Sequence, residues 1–176
     1  MDAVRYHERG GSEVLRVESV ERPVPAAREA LVSIRAAGVN PVDVAYREGD
    51  LETDGLPAIP GIDLAGVVVA TGDDVDRFST GDRVFGTERG SNQRGTYAEY
   101  IAESTDRLAH LPEGVSFASG AGLAHVGVTA WIALIDHGGL EPAMTCLIHG
   151  GSGGVGHVAV QLASKSGATV VSTAGS

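Results

Sequence analysis

The sequence predicts an α/β fold, in which a β-rich, barrel-like unit is followed by a strand, a glycine-rich turn, a helix and a second strand. Short β-type segments separated by turn formers occupy the chain up to about residue 110, which is typical of an all-β unit. Beyond Val115 the charged residues are only Asp136, Glu141 and Lys165, so this last third is expected to be covered by other structure.

In the β-rich part, β-branched and aromatic residues cluster between turn formers such as Gly10-Gly11, Gly72-Asp73 and Gly81-Asp82. We predict strands at residues 3–6, 14–17, 29–36, 62–70, 83–85, 97–102 and 107–110. The segment Asn40-Pro41-Val42-Asp43 predicts a helix start among them. Asn is a preferred N-cap, Pro fits the first helical position, and an acid is favourable in the first turn.

Helical patterns begin after residue 115. Residues 117–123 and 127–135 are predicted to form two helical stretches. A strand at 144–148, a helix at 155–166 and a strand at 168–173 follow. Cys146 lies in the first of these strands, and because it is the only cysteine it can form no internal disulfide. We expect it to be a small core residue.

The run Gly151-Ser152-Gly153-Gly154-Val155-Gly156 fits the pattern G-x-G-x-x-G directly after a predicted strand. Glycines allow a tight turn and a close approach of the backbone to a pyrophosphate, while the next helix directs its free N–H groups at the anion. The alternative is a turn that merely joins a strand to a helix. The strand-turn-helix-strand context favours a dinucleotide site, with Gly151, Ser152, Gly153, Gly154, Val155 and Gly156 as contacts.

Composition argues against several classes of partner. Thirteen basic and 23 acidic side chains give a net charge of −10, whereas nucleic-acid binding needs clustered Lys and Arg. No stretch of about 18 or more apolar residues occurs, and the N-terminus lacks the basic-then-apolar order of a signal peptide. We therefore expect a soluble, cytoplasmic protein that binds neither nucleic acid nor membrane.

Several stretches match one known family in its order along the chain. They are Ala37–Asp43, Pro60–Val67, Gly81–Val84, Thr96–Tyr100, Thr129–Trp131 and the glycine run. On these residues the chain resembles the medium-chain dehydrogenase/reductase superfamily, and within it the zinc-independent, ζ-crystallin-like quinone oxidoreductase branch. The resemblance implies that residues 1–115 form a GroES-like substrate domain. It also implies that residues 116–176 are the opening, incomplete part of a Rossmann NADP-binding domain.

The residues also argue against zinc. Closed structural zinc sites use four Cys or Cys/His ligands, and this chain has a single cysteine. In the zinc-dependent relatives a Cys and a Gly-His-Glu sequence supply catalytic ligands, and the matching positions here are Asn40 and Gly61-Ile62-Asp63. Because isoleucine cannot bind a metal, we expect no metal site.

The end of the last strand bears on the choice of nicotinamide cofactor. NAD-binding folds place an acid there to bind the ribose hydroxyls. Residues 172–176 carry no carboxylate, which removes a repulsion against the 2′-phosphate of NADP, and Ser176 is a candidate donor to that phosphate. The alternative is that Gly175 and Ser176 simply begin a loop. We predict NADP as the cofactor.

The resemblance implies hydride transfer from NADPH to a quinone or another conjugated carbonyl, with Asn40 and Thr129 near the nicotinamide. Each residue has an alternative role, Asn40 as an N-cap alone and Thr129 as a helical residue bonded to its own backbone. Asp43 and Tyr46 are assigned to the substrate pocket. The alternative for Asp43 is a first-turn acid. The alternative for Tyr46 is a packing or rim residue, because it stands one helical step beyond a family tyrosine that is Ala45 here.

Two further functions stay open. One is an enoyl-thioester or alkenal reductase of the same superfamily, and the other is a catalytically silent, truncated binding or assembly module. Family members are much longer, so the strands at 144–148 and 168–173 are expected to expose apolar faces. Such a chain is expected to aggregate, to dimerise through the sheet edge or to need a second polypeptide, and of these we expect a homo-oligomer, a dimer. The expected substrate is a small-molecule quinone or enone.

Overall fold

A computed structural model describes residues 1–88 and 94–175. The chain divides into two compact units, Met1–Ala124 and His125–Ser176.

The first unit is built from two antiparallel sheets. Strands β1 (Asp2–Arg5) and β2 (Arg16–Ser19) form a ribbon. The other sheet has the order β6-β3-β4-β5-β7. Its strands are β3 (Glu29–Ala37), β4 (Asp63–Thr71), β5 (Arg83–Thr87), β6 (Tyr100–Ser104) and β7 (Leu108–His110).

The predicted strands are present, with several of their ends displaced, and two of these displacements have a clear cause. Residues 12–14 form a 3₁₀ turn, so β2 begins at Arg16 and not at Val14. Tyr97 precedes β6 because its N–H donates to Pro60 at 3.0 Å, outside the ladder with β3. In both places local hydrogen bonding to a loop displaces the strand boundary that the β-branched pattern predicted.

The core of this unit lies on one face of the five-stranded sheet. Side chains from all five strands, together with a loop phenylalanine, are buried there: Ala30, Val32, Leu64, Val68, Phe78, Val84, Ile101 and Leu108. Each large apolar side chain buried in this way contributes roughly 1.5–3 kcal/mol. This core fixes the register of β3 against β4, which in turn places the residues at the ends of those strands.

Helix α1 (Pro41–Glu48) starts where the sequence predicts. Asn40 is extended at φ −126°, and the carboxylate of Asp43 accepts a hydrogen bond from the backbone N–H of Asn40 at 2.7 Å. This bond, from the N-cap backbone to the side chain at the third helical position, is one of the two bonds of a capping box. The helix ends at Gly49, whose φ of 95° lies in the left-handed region that glycine favours.

The two helical stretches predicted after residue 115 are a single helix. Helix α2 (Phe117–Trp131) continues as a π-helical segment, Ile132–His137. The prediction of a break was wrong because residues 124–126 contain no proline or left-handed glycine, and nothing there interrupts the hydrogen-bond ladder. By length and composition alone the run Phe117–His137 could cross a membrane, a test that core helices of soluble proteins also pass.

The second unit contains the predicted strand-turn-helix-strand. Strands β8 (Thr145–Ile148) and β9 (Thr169–Ser172) pair in parallel, and helix α3 (Gly154–Lys165) connects them. The small core of this second unit consists of Ala130, Ile148, Ala159 and Ala163. The half-buried Cys146 packs against it. Leu147 and Val171 remain 56% and 51% exposed, as the sequence predicts for a lone parallel pair.

Candidate cofactor and substrate site

The glycine run forms the turn between β8 and α3. Gly150 adopts φ 70°, a left-handed conformation that glycine tolerates at little cost. A Cβ atom on Gly156 would overlap the carbonyl oxygen of Gly150, and one on Gly151 would overlap the hydroxyl of Ser172. The turn closes through a bond from the Gly153 N–H to the Gly150 carbonyl at 2.9 Å. Glycine is therefore required at these points by space and by backbone angle.

The turn leaves an anion-binding backbone at the start of α3. The first N–H groups of a helix have no partner inside the helix, and here they belong to Gly154, Val155 and Gly156. Ser152 lies exposed in the turn just before them. The partial positive charge of a helix N-terminus adds to these donors. Donors of this kind, on glycine backbone that carries no side chain at Gly154 and Gly156, are of the type that binds phosphate.

The end of β9 holds this turn in place. The Thr173 hydroxyl accepts a hydrogen bond from the Gly150 N–H at 3.1 Å and lies 3.2 Å from His149 Nδ1. The Ser172 hydroxyl donates to the carbonyl of Ile148 at 2.8 Å. Residues 172–175 carry no carboxylate, and Ser176 lies outside the described residues. Sequence reasoning missed the bracing role of Thr173, because the partners are 23 residues apart.

Asn40 lies in the first unit, where β3 leads into α1. Its amide Nδ2 donates to Asp63 Oδ2 at 2.8 Å. Asn40 is 8% exposed, and Asp63, the first residue of β4, is 2% exposed. Sequence reasoning considered Asp63 only as a possible metal ligand and missed this contact. No local pattern of residues pointed to this contact, because 23 residues separate the two partners.

Asp43 joins Asn40 to Tyr97. Its Oδ2 accepts from the Asn40 backbone N–H and from the Tyr97 hydroxyl, the latter at 3.1 Å. Burial, followed by the carboxylates of Asp43 and Asp63, raises the pKa of Tyr97 well above its usual value of 10. The phenol therefore keeps its proton and donates it in the hydrogen bond to Asp43. Asp43 is the buried first-turn acid that the sequence predicts, and Tyr97 is a partner that it did not.

Tyr46 is half-buried on α1 and shares a cavity with Asp43, Ile62 and Glu88. The cavity has a volume of about 10 Å³, room for about one water molecule and far too small for a quinone ring. Within the first unit, Asp43 and Tyr46 therefore do not enclose a substrate-sized space. A larger groove of about 560 Å³, lined by Arg22 and Tyr100, includes neither of them.

Thr129 lies on α2 in the second unit and is half-buried. Its hydroxyl makes no hydrogen bond among the described residues, so the alternative role, a bond to its own helix backbone, is not seen there. The predicted contact with the nicotinamide stays a prediction.

No group of three or more His, Cys, Asp or Glu side chains in residues 1–88 and 94–175 is arranged to hold a metal ion. At the position where zinc-dependent relatives have a histidine, Ile62 is buried next to Asp63. A hydrocarbon side chain offers no lone pair to zinc, so the residues here do not fit the catalytic zinc of those relatives.

Comparison with known proteins places these features in a family. The alcohol dehydrogenase GroES-like domain matches residues 26–113. A quinone oxidoreductase from Sus scrofa is 41% identical over 99% of this chain and 53% of its own length. A crystal structure of an alcohol dehydrogenase superfamily protein from Novosphingobium aromaticivorans has a TM-score of 0.93 at 42% identity, covering 100% of this chain and 54% of that one.

The Escherichia coli quinone oxidoreductase complexed with NADPH matches with a TM-score of 0.89 at 31% identity, over 100% of this chain and 53% of that one. The chain thus spans about half the length of the relatives that it matches. With its GroES-like domain and the first strand-helix-strand of a nucleotide-binding unit, the chain belongs to the medium-chain dehydrogenase/reductase superfamily, in its quinone oxidoreductase branch.

Proposed function

We propose that this chain is the N-terminal part of an NADPH-dependent oxidoreductase that delivers a hydride to a quinone or another conjugated carbonyl without zinc. The observation that carries the proposal is the glycine turn at the start of α3. The first N–H groups of that helix have no partner inside it, and the turn has no room for a Cβ atom at Gly151 or Gly156. When bound there, NADPH would supply the hydride, while the protein binds and orients the reactants.

The preference for NADPH rests on the second unit. The end of β9 offers hydroxyl groups. Residues 172–175 include no carboxylate, so they carry no negative charge that would repel a 2′-phosphate. The E. coli relative complexed with NADPH supports the same choice. In this proposal Ser176 remains the candidate donor to the 2′-phosphate.

In the same proposal Asn40 and Thr129 are the catalytic residues that contact the nicotinamide or the acceptor. An amide and a hydroxyl carry no charge, so they can fix a ring by hydrogen bonds without changing the electrostatic balance of hydride transfer. Zinc independence is supported by Ile62, which stands where a ligand would be needed. Residues 1–115 are proposed as the substrate domain and residues 116–176 as the opening of the nucleotide-binding domain.

Two experiments test the proposal. Titration calorimetry with NADPH should detect heat of binding, and a mixture of NADPH with a simple quinone should lose the NADPH absorbance band. Both results should survive treatment with a zinc chelator. A silent binding module would leave the band unchanged. A dependence on added zinc would contradict the metal-free mechanism.

A further inference from the structure

The carboxylate of Asp63 lies beside the amide of Asn40, although 23 residues separate them in the sequence. The Nδ2-to-Oδ2 distance is 2.8 Å, within the range of charge-assisted hydrogen bonds. Both residues are at least nine-tenths buried. Burying a carboxylate is costly unless its partners are well placed, so this pair needs a defined geometry.

An ionised carboxylate accepts hydrogen bonds and cannot donate them. The amide of Asn40 presents its nitrogen to Asp63, as acceptance by a carboxylate requires. Because the amide is planar, its oxygen is then directed away from Asp63. A neutral partner such as another amide could pair with either end and would leave both orientations open.

The backbone around Asp63 supports this close approach. The Gly38 N–H donates to the carbonyl of Asp63 at 3.1 Å. A Cβ atom on Gly38 would lie 2.8 Å from Asp63 Cβ and 2.9 Å from its Oδ2. Glycine at position 38 thus leaves the space that the Asp63 side chain occupies.

The backbone of Asn40 is fixed as well. Its N–H donates to Asp43, which also accepts a bond from Tyr97. Asp43 holds the main chain of Asn40, and Asp63 holds its side-chain amide. Both the position and the orientation of this planar amide are therefore fixed.

We infer that Asp63 is a positioning residue for Asn40, which holds the amide in a single orientation for the bound nicotinamide or acceptor. This inference rests on the proposed function, because it assigns the purpose of a residue in that site. Asp63 acts through Asn40 and does not itself contact the reactants.

The test compares the variants D63N and E103Q with the wild-type protein. Both replace a buried carboxylate with an amide of similar size, and Glu103 on β6 has no part in the site. For D63N we expect kcat to fall about ten- to hundredfold, the effect of losing one hydrogen bond to a charged group. The dissociation constant for NADPH should stay within about twofold, because the glycine turn binds the phosphates. E103Q should retain the wild-type kcat.

A kcat of D63N within about twofold of wild type would overturn the inference. A loss of kcat that is fully explained by the fraction of unfolded D63N protein would overturn it too. If D63N does not fold, NMR of the wild-type protein tests the inference about Asp63 instead. The Nδ2 proton that faces Asp63 should lie downfield of exposed amide protons and exchange slowly with water before NADPH is added. An Nδ2 pair with the shifts and fast water exchange of an exposed amide would contradict a preset orientation. If the wild type consumes no NADPH, the proposed function fails, and the NMR signals still decide whether Asp63 holds the amide.

Discussion

The hydroxyl of Tyr97 donates a hydrogen bond to the carboxylate of Asp43 at 3.1 Å, across 54 residues of sequence. The bond links the segment before β6 to the first turn of α1. Gly61 makes it possible, because its φ of 96° and its missing Cβ leave room for the ring of Tyr97. The start of α1 is therefore held by a distant loop as well as by its own N-cap.

The variant Y97F should lower the free energy of unfolding by about 1–2 kcal/mol, because Asp43 loses one donor while its backbone bond to Asn40 remains. Urea unfolding measures the change. Y100F is the matched control, since the Tyr100 hydroxyl makes no hydrogen bond in the described part of the chain, and it should change stability by less than about 0.5 kcal/mol. Equal effects of the two variants would contradict a role for the Tyr97–Asp43 bond.

The variant G156A should disrupt the nucleotide turn. The added methyl group overlaps the Gly150 carbonyl, which is backbone and cannot move aside without opening the turn. We expect destabilisation of about 1–3 kcal/mol and loss of heat on titration with NADPH.

G122A provides the control for the glycine turn. A Cβ atom on Gly122 of α2 meets nothing within 4 Å, so alanine should be neutral or stabilising by up to about 1 kcal/mol. Thermal unfolding followed by circular dichroism compares the two variants. Normal NADPH binding by G156A would show that the turn does not hold the phosphates.

Stability should depend on pH through Glu103. Burial, with a smaller contribution from the nearby carboxylate of Glu88, raises the pKa of Glu103 from 4.5 to about 7, although Arg107 lies 3.3 Å away. Between these pH values the folded state keeps a proton that the unfolded chain has lost. The stabilisation is thus complete below about pH 4.5 and is lost as the pH rises through 7.

The variant E103Q removes this titration. Relative to wild type, its free energy of unfolding should rise by on the order of 3 kcal/mol between about pH 4.5 and pH 8, as a shift of that size implies. Urea unfolding at a series of pH values gives the profile. The exposed Glu113→Gln serves as control and should follow the wild-type profile. Parallel profiles for E103Q and wild type would exclude a raised pKa.

Self-association of this chain, studied on its own, should depend on the exposed face of the parallel strand pair. Leu147 on β8 is 56% exposed, and no third strand pairs with β8 or β9 among the described residues. The variant L147E should reduce association, as measured by analytical ultracentrifugation, because a charge opposes burial of that face.

V17E is the control for self-association. Val17 on β2 is 75% exposed and belongs to the other unit, so its substitution should leave the association unchanged. The idea of a sheet-mediated dimer fails if L147E associates as strongly as wild type. It also fails if V17E weakens association equally.

Elements with local signals were predictable. The start of α1 followed from Asn40 and Pro41, and the nucleotide turn followed from its glycines, because caps and turns depend on residues within a few positions. The continuity of α2 was not predicted, because the sequence shows two separate helical patterns, at 117–123 and 127–135, although no proline or left-handed glycine lies between them.

The sequence by itself determined the family, the order of the elements and the position of the glycine turn between β8 and α3. Only the tertiary structure decided that Asn40 meets Asp63 and that Asp43 meets Tyr97. The physical reason is that such pairs depend on the register of β3 against β4 and on the path of the loop before β6. Packing of the whole sheet sets these, and no local pattern of residues encodes them.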